Sequence, residues 1–298
     1  MNAAAERIVA AVLEEWPDHK KFIDRRFSLG DDAAVDRVAD LVLPLVADDL
    51  PRFAADYHFI CDLSLTEELE FRRSGRYRLS TFAEADREVY SNHAFMTRYM
   101  NGLLMSELFW SNHTSVIDTY ERDYLPQLSP GYAHLEIGPG HGLLLSQVAQ
   151  DERASKISGW DLSPASLDAT RHSLDLLGVT REVTLAKRDL FEDSDDERFD
   201  SIVVSEVLEH MEDPAAALRS LHKRLTPGGR IFVNFPLNSP MPDHLYLLST
   251  PDQACALVAD AGLTIESTRF FPMSGYKLER AIKAALTISC VIVGRREA

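Results

Sequence analysis

Residues 133–145, Ala-His-Leu-Glu-Ile-Gly-Pro-Gly-His-Gly-Leu-Leu-Leu, constrain this chain more than any other stretch. An apolar run ends at Ile137, glycines follow at Gly138, Gly140 and Gly142, and apolar residues resume at Leu143. That order predicts a buried parallel strand, a tight turn and a helix. Glycine has no Cβ and tolerates positive φ, so the bare backbone of such a turn can approach a ligand closely. The following helix aims unpaired N–H groups and its positive dipole end at the same place, which would suit a phosphate or a carboxylate.

A dinucleotide fingerprint spaces its glycines as G-x-G-x-x-G, the third one admitting close helix–strand packing. Here the third glycine, Gly142, comes one residue early, and position 143 is leucine. Glu136 stands two residues before Gly138, at the mouth of the expected pocket. A carboxylate there attracts an ammonium and repels a pyrophosphate. With these features the loop resembles motif I (E-x-G-x-G-x-G) of the class I S-adenosylmethionine-dependent methyltransferases.

From Tyr132 the chain alternates strand and helix patterns, as an α/β sheet demands. Strands are predicted at 132–137, 156–161, 182–187, 201–205, 230–235, 263–270 and 288–295. Helices open on Ser163-Pro164, Asp213-Pro214 and Thr250-Pro251, each a capping residue followed by proline. Leu225-Thr226-Pro227-Gly228-Gly229 reads as a turn before the fifth strand. Residues 1–130 read as helical throughout, with a break at Ser74-Gly75. Thr81 and Glu84 form a capping-box pattern that predicts one long helix running toward Phe109. The segment from Tyr99 to Tyr124 mixes aromatics with amides and fits either a helix–helix core with polar tips or a cap over the cofactor pocket. The boundary falls at Ser129-Pro130-Gly131. Residues 1–130 are therefore expected to form a helical cap, substrate or dimerisation domain, and 131–298 the cofactor domain.

Asp161 ends the second strand, 19 residues after Gly142. It can accept hydrogen bonds from the vicinal hydroxyls of a ribose, or cap the turn into Ser163-Pro164. Asp189 follows the third strand, where it can serve an adenine amine while the Leu190 N–H serves a ring nitrogen. The acidic run Glu192–Glu197 reads as a solvated loop. The fourth strand leads into Phe199-Asp200-Ser201-Ile202-Val203-Val204-Ser205-Glu206-Val207-Leu208-Glu209-His210. This resembles motif IV of the same methyltransferase class, in the Glu-His form typical of ubiquinone-type O-methyltransferases.

The resemblance implies a Rossmann-like, doubly wound sheet of seven strands in the order 3-2-1-4-5-7-6 with the last antiparallel. It places Glu136, Gly138, Gly140, Ser205 and Glu206 along the methionine end of S-adenosylmethionine, with Gly142 of the same loop also among the cofactor-binding residues. Asp161 and Leu162 would hold the ribose, and Asp189 and Leu190 the adenine. An oxygen or carbon acceptor also needs a base, for which histidine is suited near neutral pH. His244, in the proline-rich loop after strand five, and His210 are the candidates of choice, ahead of His141, His93 and His113.

The formal net charge of −16 and the lack of a basic cluster disfavour nucleic acid and leave a small molecule as acceptor. Charged residues near the N-terminus argue against an export signal, and no stretch is long and apolar enough to span a bilayer, so a cytoplasmic protein without membrane partners is expected. The N-terminal helices leave room for a homodimer. Cys61, Cys255 and Cys290 are scattered, and no metal site is expected. The resulting expectation is an S-adenosylmethionine-dependent methyltransferase acting at oxygen, nitrogen or carbon of a small, specialised metabolite. Its rivals are an adenosyl-cofactor protein without methyl transfer, an NAD-type oxidoreductase, which Glu136 and the early glycine disfavour, and a helical adaptor.

Overall fold

The apolar faces read in the first 130 residues fold against one another as helices α1 (Ala3–Glu15), α2 (Lys20–Arg26), α3 (Asp32–Val46), α4 (Leu50–Ser74), α5 (Phe82–Ala85), α6 (His93–Phe109) and α7 (Ser111–Thr119). This computed structural model describes residues 1–191, 197–273 and 275–297; Glu192–Asp196 of the acidic run lie outside the described residues. Among the described residues no helix is long and apolar enough to cross a membrane.

The long helix expected from Thr81 to Phe109 is broken. Its capping box forms, with Thr81 and Glu84 serving each other's backbone, but residues 86–90 widen into a π turn. Asn92 then caps a new helix by accepting from the Phe95 N–H. A second π turn, Tyr120–Tyr124, follows α7. Such turns rotate side chains out of helical register. Here each one ends on a tyrosine whose hydroxyl reaches into the second half of the chain.

The second half contains β1 (Tyr132–Ile137), α8 (Leu143–Gln150), β2 (Ala154–Asp161), α9 (Pro164–Leu176), β3 (Thr184–Lys187), β4 (Phe199–Ser205), α10 (Pro214–Arg224), β5 (Leu225–Leu237), α11 (Pro251–Asp260), β6 (Thr264–Pro272), α12 (Leu278–Lys283) and β7 (Ile288–Arg295). The strands form one sheet in the order β3-β2-β1-β4-β5-β7-β6, parallel except for β7, as the resemblance implies. All three cap-plus-proline signals start helices, and Thr250–Gln253 completes a capping box. The turn read at 225–229 is a bulge inside β5: partners shift from Phe199↔Leu225 to Ser201↔Arg230, and Gly228 takes a φ of 82°.

One apolar cluster joins the helical segment to a face of the sheet, with Tyr120 and Tyr124 packed edge-on against Phe232 of β5. Burying side chains of this size contributes about 1.5–3 kcal/mol each. The first 130 residues are thus anchored to the sheet by core packing. At the carboxyl ends of β1, β4 and β5, the connections after Ile137, Ser205 and Leu237 converge beneath α6, α7 and the 75–92 segment, where open α/β sheets bind ligands.

Candidate functional site

Gly138, Gly140 and Gly142 all adopt positive φ, at 61°, 51° and 68°. Their surroundings separate their roles. A Cβ on Gly138 would stand 2.7 Å from Val207 Cγ2, so this glycine lets the loop lie against the segment after β4. A Cβ on Gly140 would meet nothing nearer than the Gly138 carbonyl at 4.0 Å, so Gly140 borders open space. Gly142 instead faces Thr170 and Leu174 of α9, with the nearest atom 3.3 Å away. Gly142 shapes the turn and caps α8, its Cα side turned toward α9. Thr170 Oγ1 fixes the loop by donating to the Gly140 carbonyl at 2.7 Å.

Glu136 ends β1 at 4% exposure, and its Oε2 is buried without a hydrogen-bond partner. Burial pushes its carboxyl up to about 8. A cation brought to this carboxyl would supply the missing partner. Asp161 closes β2, and its oxygens already accept from the Ser163 N–H (2.8 Å) and the Ser166 hydroxyl (2.7 Å). The turn-capping role is real, and each oxygen retains a lone pair for a ribose hydroxyl. Leu162 beside it is 50% exposed. Asp189 similarly accepts from the Phe191 N–H at 2.8 Å, while the Leu190 side chain is buried in the second apolar cluster and can offer a ligand only its backbone.

Glu206 follows β4 with a φ of 52°, in the left-handed region. Asn234 of β5 holds it there: Nδ2 donates to Glu206 Oε1 (2.8 Å) and Ser205 Oγ (3.0 Å), and its carbonyl accepts the Glu206 N–H (3.1 Å). Burial lifts the Glu206 carboxyl to about 7. Asn234 is absent from the motif reading, although its polar side chain in an apolar strand run was the available signal.

Below Glu206 lies a cluster that the sequence did not announce. Glu209 is wholly buried beside the Glu206 carboxyl, with which it shares a side-chain hydrogen bond; burial and that neighbour push it well above the usual range. Its Oε1 lies 3.7 Å from His210 Nε2 and 4.0 Å from His244 Nε2. The His244 Nδ1 is 2.6 Å from the Ser239 carbonyl, which only accepts, so Nδ1 carries the proton. The His210 Nδ1 faces the Asp243 carbonyl at 3.1 Å, which assigns its proton in the same way. Both Nε2 lone pairs therefore face the Glu209 carboxyl, which burial holds toward its protonated form. One ligand atom from each of Glu209, His210 and His244 falls within 4.8 Å of the others. A first-row divalent cation at about 2.1 Å from each would bring its ligands roughly 3–4 Å apart and displace that proton.

Two expectations stand against these observations. Mixed nitrogen and oxygen donors suited to a cation are present, although no metal site was expected. His244 is also a poor base: burial, with His210 second, lowers it to about 3. Of the other histidines, His141 hydrogen-bonds the Met100 backbone of α6, tying the glycine loop to the helical segment. His93 is exposed at the start of α6. His113 is lowered by burial to about 4 and faces Ser106 Oγ at 3.0 Å. The helical segment covers the cluster directly: Tyr90 reaches His210 (3.3 Å), Tyr99 reaches Asp243 (2.7 Å), and the Ser239 N–H donates to Tyr77 (3.0 Å).

Residues 135–231 match the family described as a methyltransferase domain. The ubiquinone biosynthesis O-methyltransferase of Alkalilimnicola ehrlichii is 34% identical over 123 residues, covering 39% of this chain and 47% of that protein. The chain thus spans about half the length of the curated relatives it matches. In fold it is similar to an O-methyltransferase family protein from Burkholderia thailandensis, with a TM-score of 0.54, 14% identity, and coverage of 83% of this chain and 72% of that one. It is also similar to the cyclase SpnF, with a TM-score of 0.51, 17% identity, and coverage of 62% and 80%.

Proposed function

We propose that this chain, whose residues 135–231 match a methyltransferase domain, is an S-adenosylmethionine-dependent methyltransferase acting on an oxygen of a small, specialised metabolite. The observation that carries the reading is the alignment, at one end of the sheet, of Gly140's open backbone, the unpartnered Glu136 and the donor cluster beneath Glu206. The acidic surface and the covering helices favour an enclosed small molecule over nucleic acid.

When bound, the cofactor supplies an activated methyl on a sulfonium, and a divalent cation supplies a charge that lowers the pKa of an acceptor hydroxyl. The chain's own residues hold and orient. Glu136 receives the cofactor's ammonium, and Asp161 with the Leu162 backbone holds the ribose. Asp189 with the Leu190 backbone holds the adenine. Glu209, His210 and His244 would hold the cation, while Tyr77, Tyr90 and Tyr99 close the pocket against water. Alignment of nucleophile, methyl and sulfur accounts for most of the catalysis such a site needs.

Calorimetry with S-adenosylmethionine, S-adenosylhomocysteine and NADH tests the reading. Micromolar binding of both adenosyl ligands, lost in Asp161→Ala, supports it; binding of NADH alone overturns it. SpnF supplies a second reading, since its fold carries a cyclase. Adenosyl binding without demethylation in the presence of candidate acceptors would favour that outcome.

A further inference from the structure

The helical segment and the loop after β5 meet at one buried carboxylate. Asp243, at 3% exposure, accepts from the Tyr99 hydroxyl through Oδ1 at 2.7 Å. Its Oδ2 lies 3.5 Å from His210 Nδ1, and its carbonyl accepts from that nitrogen at 3.1 Å. Tyr90, from the π turn, places its hydroxyl 3.3 Å from the same Nδ1. Every neighbour of Nδ1 can accept its proton, and three of the groups involved come from two distant parts of the chain.

We propose that Tyr99 and Asp243 are positioning residues that fix His210 with its proton on Nδ1 and its Nε2 lone pair toward Glu209 and His244. The first 130 residues are then part of the reaction centre as well as its cover. This inference rests on the cation reading above only for one of its two readouts.

A neutral imidazole can carry its proton on either nitrogen, and the hydrogen bond at one nitrogen decides what the other presents. A buried carboxylate beside Nδ1 makes that choice only if it is held still. Tyr99 engages Oδ1 and leaves Oδ2 and the carbonyl for His210. Tyr99 is itself fixed, 2% exposed and stacked on Phe95 at 5.7 Å, so its ring survives loss of the hydroxyl in Tyr99→Phe. Partners of this kind on metal-binding histidines typically change metal affinity 10–100-fold.

The test compares full-length wild type, Tyr99→Phe and Asp243→Asn, with Tyr57→Phe as a matched loss of a buried tyrosine hydroxyl that faces His19 instead. Imidazole ¹⁵N shifts of His210, assigned by their loss in His210→Gln, report the tautomer. Calorimetry reports the affinities for Mn²⁺ and S-adenosylhomocysteine. Wild type and Tyr57→Phe are expected to hold the proton on Nδ1. Tyr99→Phe and Asp243→Asn should show a mixture with Nε2–H and bind Mn²⁺ about 10–100-fold more weakly, with S-adenosylhomocysteine affinity unchanged. A proton on Nε2 in wild type, or wild-type behaviour of Tyr99→Phe in both readouts, overturns the proposal. Wild type that binds S-adenosylhomocysteine but no Mn²⁺ overturns the cation reading alone, and the tautomer comparison still decides the role of Tyr99.

Discussion

Asn234 Nδ2 and Glu206 Oε1 lie 2.8 Å apart, joining β5 to a residue held at positive φ just beyond β4. A non-glycine residue in that region persists only when its surroundings over-determine it. The same amide also holds Ser205. Asn234→Asp removes both donated bonds and sets a carboxyl against Glu206. The expected loss of stability at pH 7 is about 2 kcal/mol, read from denaturant unfolding. Cofactor affinity should fall at least tenfold, whereas an unchanged affinity would mean that Glu206 is not held for the ligand.

The glycine loop permits a paired comparison. Gly140→Ala brings backbone strain but no collision, because a Cβ there meets only open space. The strain costs about 1–2 kcal/mol, so the variant should fold while losing S-adenosylhomocysteine binding. Gly138→Ala adds a contact at 2.7 Å with Val207 and should lose more stability than Gly140→Ala. Thermal unfolding gives the order of the two variants. Calorimetry shows whether Gly140→Ala is selectively defective in binding.

Glu136 makes the unliganded protein sensitive to pH. Its native carboxyl is raised to about 8, whereas in the unfolded chain it returns to the model-peptide value near 4.5. Between these values the native state holds a proton that the unfolded chain has released, so stability falls as pH rises. Its contribution is fully present below the unfolded value and is lost on the way to the folded one. Glu136→Gln should flatten that part of the stability profile. Binding of the cationic cofactor at pH 7 should release a proton, seen as a dependence of calorimetric enthalpy on buffer ionisation heat, and Glu136→Gln should abolish it.

The sheet was legible because its signals are local. Alternating apolar runs, cap-plus-proline starts and the glycine loop each specify backbone within a few residues, so the strand order follows once the motifs are recognised. The break at residues 86–92 was not legible, since the periodicity of the flanking helices continues across the π turn. Glu136 and Asp161 could be read from their places at strand ends. The Glu209–His210–His244 cluster could not, because its members lie 35 positions apart and converge only when the loop after β5 folds back. His244 reads as a base from its residue type and its loop after strand five, but burial lowers its basicity. Tyr90 and Asp243 carried no motif, and Tyr99 stood only in a segment that fits core or cap; tertiary contact alone gives all three these roles.

The donor cluster makes stability and binding pull in opposite directions. Glu209 is buried against the Glu206 carboxyl and faces two imidazole lone pairs, with no cation beside it among the described residues. Burying a carboxyl without a cation is destabilising. Glu209→Gln replaces it with a neutral group of the same shape whose NH₂ can donate to Nε2 of His210 or His244. The unliganded variant should therefore unfold at a higher temperature than wild type. Mn²⁺ at a hundredfold excess over its Kd should stabilise wild type by about 2.7 kcal/mol and leave Glu209→Gln unaffected. EDTA should return wild type to its metal-free midpoint. A variant less stable than unliganded wild type would mean that the hydrogen bond with Glu206 already satisfies the Glu209 carboxyl, and the cluster would then be a structural network with no vacancy for a cation.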